Sequence, residues 1–273
     1  MSEPNPDVVP LASGRRIYFS VQGAADSPAI LLNRPIGGSM LLWGEFASLL
    51  ATGLRVVSFD PLGVGQSSDV PLWYTTRDMA RDAAQVLDHL RIESAHVFGL
   101  SLGGMVASHL ALEFTTRVRS LVLASTIPEP EALSLQGLEQ LLSMSRFLFG
   151  PRAAAEVGLV HGILSREFRE AHPERVIEIE RRAGETPGSR ENLAILALAA
   201  ARHSSPLADL PQSVRTLLLF GELDLLAGVG ARAELERELP NAECEVIAGA
   251  GHDISLERPR ELAERVLAFA LRG

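Results

Sequence analysis

The run Val97-Phe98-Gly99-Leu100-Ser101-Leu102-Gly103-Gly104-Met105-Val106 decides how this chain is read. An apolar, strand-like stretch ends in glycine, a serine follows two residues on, and an apolar, helix-like stretch starts at once. A chain that passes from strand to helix at a single residue must take a strained conformation there. The residues two positions either side then come close together, which favours glycine at both. Such a turn lifts the Ser101 hydroxyl above the end of its strand and aims the N-terminus of the next helix at any anion nearby. The bare Gly-x-Ser-x-Gly spacing also arises as an incidental turn, so its meaning rests on what surrounds it.

Outward from this run, short apolar stretches alternate with amphipathic ones. Ala29 to Leu32, Arg55 to Phe59, Ala95 to Phe98, Leu121 to Ala124, Thr216 to Phe220 and Cys244 to Ala248 have strand length and are bounded by turn formers. Near-continuous apolar runs suit strands buried on both faces of a parallel sheet. Met79 to Leu90, Met105 to Leu112, Ala231 to Leu239 and Arg260 to Leu271 carry apolar residues at helical spacing. The alternation predicts an α/β class with a mostly parallel, doubly wound sheet. Val8 to Gly23 alternates and reads as an antiparallel edge hairpin. From Pro128 to Leu210 only helical patterns occur, best at Ser134 to Leu148, Ala153 to Leu164 and Arg190 to His203. That is too long for a crossover and reads as a helical lid, 128–210, inserted into a core of 1–127 and 211–273.

The composition fits one globular chain. Of 273 residues, 47% are hydrophobic and 22% charged, enough for a large core and unlike a disordered sequence. The net charge of −9 disfavours nucleic acid and anionic membrane surfaces as partners. A single cysteine, Cys244, cannot make an internal disulfide and reads as a small buried hydrophobe. The opening Met1 to Gly14 holds acids and prolines where a secretion signal needs positive charge and an apolar run. No stretch reaches the roughly 18 apolar residues of a spanning helix, so a cytoplasmic protein is expected.

A serine hydroxyl needs a base. Of seven histidines, His89 and His109 fall in predicted helices, His96 in a strand, and His161, His172 and His203 in the insertion. His252 alone follows the last strand, in Ala250-Gly251-His252-Asp253, at the carboxyl end of a strand where open α/β sheets place their sites. Asp224, in Gly221-Glu222-Leu223-Asp224 after the preceding strand, is the acid expected to hold the imidazole tautomer. Glu222 competes for that role, and Asp253 reads as a loop cap that points away from the serine. The chain order Ser101, Asp224, His252 differs from those of the two large serine-protease classes.

With these residues in hand, nearly the whole chain resembles the α/β-hydrolase family. Asp60-Pro61-Leu62-Gly63-Val64-Gly65-Gln66-Ser67 is similar to the family's D-x-x-G-x-G-x-S loop, and Gly99 to Gly104 to its nucleophile elbow. Gly221 to Asp224 and Gly251-His252, followed by Glu257-x-Pro259, resemble its acid and histidine loops. The closest flavour is that of the 3-oxoadipate enol-lactonases and related small esterases. The resemblance implies an eight-stranded sheet with the lid after the sixth strand. It also implies an oxyanion hole made by the N–H of Leu102 and a donor from the loop after the third strand.

That loop departs from the family. It reads Asn33-Arg34-Pro35-Ile36-Gly37-Gly38 where most relatives carry His-Gly. Simple alignment puts the donor at Pro35, which has no N–H, so Ile36 is favoured over Arg34; an incomplete hole stays open. Arg34 at the mouth would grip a substrate carboxylate, or lie solvated, or pair with a lid acid. Pro35 and Phe147 join it as expected substrate contacts; Phe147 with Leu138, Leu141, Leu142, Met144 and Leu148 reads as an apolar roof, and core packing explains most of these residues equally well.

The implied reaction is hydrolysis of an ester or lactone of a small to medium apolar molecule, with no metal or cofactor. A homodimer is left open. Serine at position 101 sets aside the epoxide hydrolases and haloalkane dehalogenases, which use a carboxylate there; peptidase chemistry has no specific support. Competing readings are the same three residues used for carbon–carbon hydrolysis, lyase, acyl-transfer or cyclisation chemistry, and a non-catalytic receptor that kept the pocket.

Overall fold

The strands are β1 (Asp7–Pro10), β2 (Arg16–Gln22), β3 (Ala29–Asn33), β4 (Arg55–Asp60), β5 (Ala95–Leu100), β6 (Val118–Ala124), β7 (Arg215–Gly221) and β8 (Glu243–Ile247). The computed structural model describes residues 7–129, 160–185 and 188–272. The strands form one sheet in the order β1-β2-β4-β3-β5-β6-β7-β8, parallel from β4 to β8, with β1 and β2 antiparallel at one edge. The chain leaves β3 for β4 on one side and returns to β5 on the other, so β3 and β5 are neighbours, with Asn33 opposite Gly99. This reversal of strand order opens a crevice at the carboxyl ends, where loops from both halves diverge.

The helices are α1 (Gly44–Leu50), α2 (Thr76–His89), α3 (Leu102–Glu113), α4 (Arg166–Ala171), α5 (Pro173–Glu185), α6 (Arg190–Ala201), α7 (Val229–Glu238), α8 (Ile254–Glu257) and α9 (Pro259–Ala270). Because strand side chains alternate, the central strands feed two cores. Leu31 and Val97 pack with Val86 of α2 and Leu110 of α3 on one face. Ile30, Leu32 and Phe98 pack with Phe46 of α1 and Phe269 of α9 on the other. Phe98 stands 5.6 Å from Trp43 and 5.1 Å from Phe46, ring centre to ring centre. Emptying such a site by Phe→Ala costs about 3–5 kcal/mol, so the sheet's centre is costly to disturb.

The alternation read from the sequence is the one observed, and the insertion follows β6. Differences from expectation have local causes. The helix α1 and the short turn Met40–Trp43 before it went unread, because seven residues give too few turns for a periodic signal. In α5 only Val176 and Ile179 are buried amid charged neighbours, a stripe too thin to detect. Cys244 is only half-buried, since β8 is an edge strand, and burial followed by Glu236 pushes its thiol up to about 12. The expected helix Ser134 to Leu148 lies outside the described residues, as does Ala153 to Leu164 before Val160; residues 160–163 are helical. Val160, Ile163 and Phe168 pack against Leu42, Leu226 and Leu256, tying this part of the insertion to the loops above the sheet. Among the described residues no helix is long and apolar enough to cross a membrane.

Candidate active site

Ser101 sits between β5 and α3 at φ 57°, ψ −122°, a conformation a non-glycine residue takes only under tertiary constraint. The constraint is visible. Its N–H donates to the Ala124 carbonyl at 2.9 Å, and the Thr126 hydroxyl donates to the Ser101 carbonyl at 2.7 Å. A Cβ on Gly99 would stand 2.1 Å from the Gly103 carbonyl oxygen, and one on Gly103 would stand 2.0 Å from that of Asn33. The two glycines therefore let the turn close on itself and let the loop after β3 lie directly against it.

The other two side chains arrive from the loops after β7 and β8. These loops stay zipped beyond the sheet, with Glu222 N–H donating to Ile247 and Leu223 N–H to Ala250. The pairing sets Asp224 beside His252. The imidazole Nε2 lies 2.9 Å from Ser101 Oγ, and Nδ1 lies 3.0 Å from both carboxylate oxygens of Asp224. An ionised carboxylate only accepts, so Nδ1 carries the proton and Nε2 is free to take one from the serine. Asp224 Oδ1 also receives the N–H groups of Leu226 at 2.8 Å and Ala227 at 3.0 Å. Burial would push this carboxyl up, but His252 and these donors overcome it and hold it below its ordinary range. For His252 burial works downward, and Asp224, then Asp253 and Glu257, outweigh it, so the imidazole lies above its ordinary value. Glu222 is exposed and accepts the Gly249 N–H instead of approaching the imidazole.

The loop after β3 carries the departures. Gly38 N–H donates to the Pro35 carbonyl at 3.1 Å, with Gly37 at φ 68°, closing a turn that has Ile36 and Gly37 at its centre. Ile36 N–H takes no part in that bond. Leu102, at the start of α3, is 5% exposed. Asp60, the last residue of β4 before the glycine-rich loop, accepts Met40 N–H at 2.7 Å and so braces the far end of the β3 loop.

The sequence expectation for Arg34 needs correction. Its side chain is 1% exposed and does not lie open at a mouth. Nη2 pairs with Asp253 at 2.9 Å, Nη1 donates to the Ser255 hydroxyl at 3.2 Å, and the guanidinium stacks 4.4 Å over Trp43. The partner is not a lid acid but the residue after His252. Asp253, expected as a loop cap, spends its carboxylate on this pair and on the Ser255 hydroxyl, and makes no side-chain cap to α8. Pro35 is buried within the turn. Phe147 and the rest of the expected roof lie outside the described residues.

Sequence reasoning also passed over the role of Glu257. It accepts Ser165 N–H at 2.6 Å, the Ser165 hydroxyl at 2.7 Å and Gly251 N–H at 3.0 Å. One buried carboxylate thus clasps the insertion to the histidine loop. The Glu257-x-Pro259 pattern was the only signal for it, and spacing alone does not name partners 92 residues away. An open cleft of about 540 Å³ borders Asp224 and His252, lined also by His161, Leu164, Ser165 and Arg169. Ser101 is not among its lining residues, so this cleft lies behind the acid–histidine pair.

Known proteins resemble this chain in sequence and in fold. A putative carbamate hydrolase RutD from Variovorax paradoxus is 37% identical over 142 residues, 51% of this chain and 53% of that one. The protein of that name from Caulobacter vibrioides is 26% identical over 93% of this chain and 94% of its own. The 3-oxoadipate enol-lactonase 1 of Acinetobacter baylyi is 24% identical over 98% of both. Among solved structures, a hydrolase from Pseudomonas aeruginosa superposes with a TM-score of 0.84 at 25% identity, covering 99% of this chain and 100% of that one. The family model for the alpha/beta hydrolase fold matches residues 28–259. With that span, and with an eight-stranded, mostly parallel sheet interrupted by helices after β6, this chain belongs to the α/β-hydrolase fold family.

Proposed function

We propose that the protein is a serine hydrolase that cleaves a carboxylic ester or lactone of a small to medium, apolar molecule through an acyl-enzyme. The observation that carries the reading is the 2.9 Å contact of His252 Nε2 with Ser101 Oγ, with Asp224 3.0 Å behind the ring. Ser101 Oγ attacks the carbonyl carbon while its proton passes to Nε2. The negative charge gathers on the former carbonyl oxygen, facing the N–H of Leu102 and an N–H of the 33–38 loop, that of Ile36 before that of Arg34. Each such donor is worth about 3 kcal/mol of barrier. His252 then gives its proton to the departing alkoxide. Water, deprotonated by the same nitrogen, attacks the acyl-serine, releasing the acid and restoring the hydroxyl. The chemistry proceeds on side chains and amides alone, without a cofactor.

The named activities of the relatives support the bond type. An enol-lactonase opens a cyclic ester, and a carbamate hydrolase attacks a related carbonyl. Carbamate cleavage is the second reading, favoured by the Variovorax relative. Labelling with a fluorophosphonate tests the common element. The folded protein should label at Ser101, and Ser101→Ala should not. A panel of p-nitrophenyl esters, lactones and carbamates then ranks the bonds. A folded protein that neither labels nor turns over any of them would be a receptor on this fold. Labelling without turnover of the panel would point to the carbon–carbon, lyase, acyl-transfer or cyclisation chemistries.

A further inference from the structure

Two loops must keep their spacing if Ser101 is to work as proposed: residues 33–38, which would hold the oxyanion, and the loop that carries His252. They leave the sheet from β3 and β8, which stand four places apart in the sheet order, so no strand pairing fixes one against the other. A buried ion pair does so. Arg34 belongs to the first loop and Asp253 to the second. Their side chains are 1% and 0% exposed and meet at 2.9 Å. Ser255 closes a triangle by accepting from Arg34 Nη1 at 3.2 Å and donating to Asp253 Oδ1 at 2.5 Å. Trp43, just beyond the same β3 loop, covers the guanidinium at 4.4 Å. Asp253 is fixed from a third direction, its N–H donating to the Ile163 carbonyl of the insertion at 3.0 Å.

We propose that the Arg34–Asp253–Ser255 cluster is a tie between the oxyanion loop and the histidine loop, and that Arg34 and Asp253 are positioning residues for His252 rather than ligands of a substrate. The inference rests on the function proposed above. It has an electrostatic half as well as a mechanical one. Three carboxylates bear on the imidazole: Asp224 from the β7 loop, and Asp253 and Glu257 from its own loop and α8. Glu257 is engaged by Ser165 and Gly251. Arg34 is the cation that pairs with Asp253 and offsets its pull on the ring, on which Asp224 has the largest effect of the three. Burial by itself lowers the Arg34 pKa, and Asp253 opposes that. A buried pair of this kind is poor evidence of stabilisation, since well-packed apolar residues often replace one without loss. A role in position is the better account of its place beside the histidine.

The test follows the rate of fluorophosphonate labelling at Ser101 against pH, with thermal unfolding in parallel. Arg34→Met leaves Asp253 without its cation, so the acid limb of the labelling profile should move to higher pH and the rate fall about tenfold or more. Arg34→Lys keeps the charge but loses the fork and the stacking on Trp43. Its limb should stay in place while its rate falls, and it keeps the idea testable if Arg34→Met does not fold. The double variant Arg34→Met, Asp253→Asn removes both charges. It should recover thermal stability and the position of the limb, yet still label slowly. A double variant that labels at the parental rate would reduce the pair to a packing element, and an unmoved limb in folded Arg34→Met would remove the electrostatic half. If the unaltered protein itself fails to label at Ser101, it is the hydrolase reading that fails, before any question of the tie arises.

Discussion

His252 and His203 are both buried, at 6% and 2% exposure, and both rings are hydrogen-bonded at each nitrogen. His252 meets Asp224 and Ser101. His203 meets the hydroxyls of Thr76 at 3.0 Å and Ser205 at 3.1 Å, with His109 edge-on at 5.1 Å. Yet their protonation runs in opposite directions. Burial, then the neighbouring His109, pushes His203 down to about 3, whereas the carboxylates around His252 overcome burial and raise it. Hydrogen bonding and burial are common to both, so they do not make a base. What separates a proton acceptor from a structural ring is a carboxylate behind it. The site around Ser101 has one; among the described residues, the junction between α2, α3 and the residues after α6 sets none against His203.

The sharpest way to break this contrast is to make His252 resemble His203. Asp224→Asn removes the charge and invites the wrong tautomer. Labelling or turnover at neutral pH should fall by about 10⁴-fold, and the acid limb should move to lower pH. In the unaltered protein that limb should lie above 6.5, because the folded imidazole is raised and only its neutral form takes the serine's proton. A pH profile of the two proteins checks both statements.

Removing His203 should instead be felt in stability alone. His203→Phe keeps a ring against His109 but takes its ring partner from the buried Thr76 hydroxyl and leaves that of Ser205 only the Pro128 carbonyl at 3.5 Å, at a cost of about 1–3 kcal/mol. Denaturant unfolding should register it, with the labelling rate at Ser101 unchanged. The same residue makes the fold acid-sensitive. Between pH 6.5 and about 3 the unfolded chain binds a proton that folded His203 refuses. Its contribution is therefore whole above pH 6.5 and is lost as pH falls, with a slope of up to about 1.4 kcal/mol per pH unit. His96, pushed down to about 4 by burial and by Arg119 and Arg215, acts in the same sense. Unfolding free energies from pH 7 to 4 should decline, and less steeply in His203→Phe.

The gentlest test gives His203 what His252 has. Thr76 is the first residue of α2, where a carboxylate is favoured by the helix dipole. Thr76→Asp should raise the titration midpoint of His203, read by the NMR shifts of its ring protons. An unmoved midpoint would mean that burial, and not the missing carboxylate, governs this ring.

Much of the fold was legible in the chain. Apolar runs of strand length, separated by helical stripes, specify a parallel sheet because each strand must be covered on both faces. Gly-x-Ser-x-Gly, with a strand before it and a helix after it, announced its turn because a side chain at Gly99 would strike the Gly103 carbonyl within the turn itself. The placement of Asp224 and His252 just past strand ends brought both to the rim from their own chain positions. Helices α1 and α5 were not legible, being too short or too sparsely apolar, and the reach of Glu257 to Ser165 had only a weak motif behind it.

Arg34 marks the boundary. Its position in the loop after β3 was evident, but its direction was not, because a long side chain's partner depends on what the fold sets across from it. The sequence determined which groups stand at the sheet's carboxyl rim, since periodicity and turn chemistry are local. Only the tertiary structure decided which charges face one another there. Pairings such as Arg34 with Asp253, 219 residues apart, are fixed by the packing of loops and not by the order of residues.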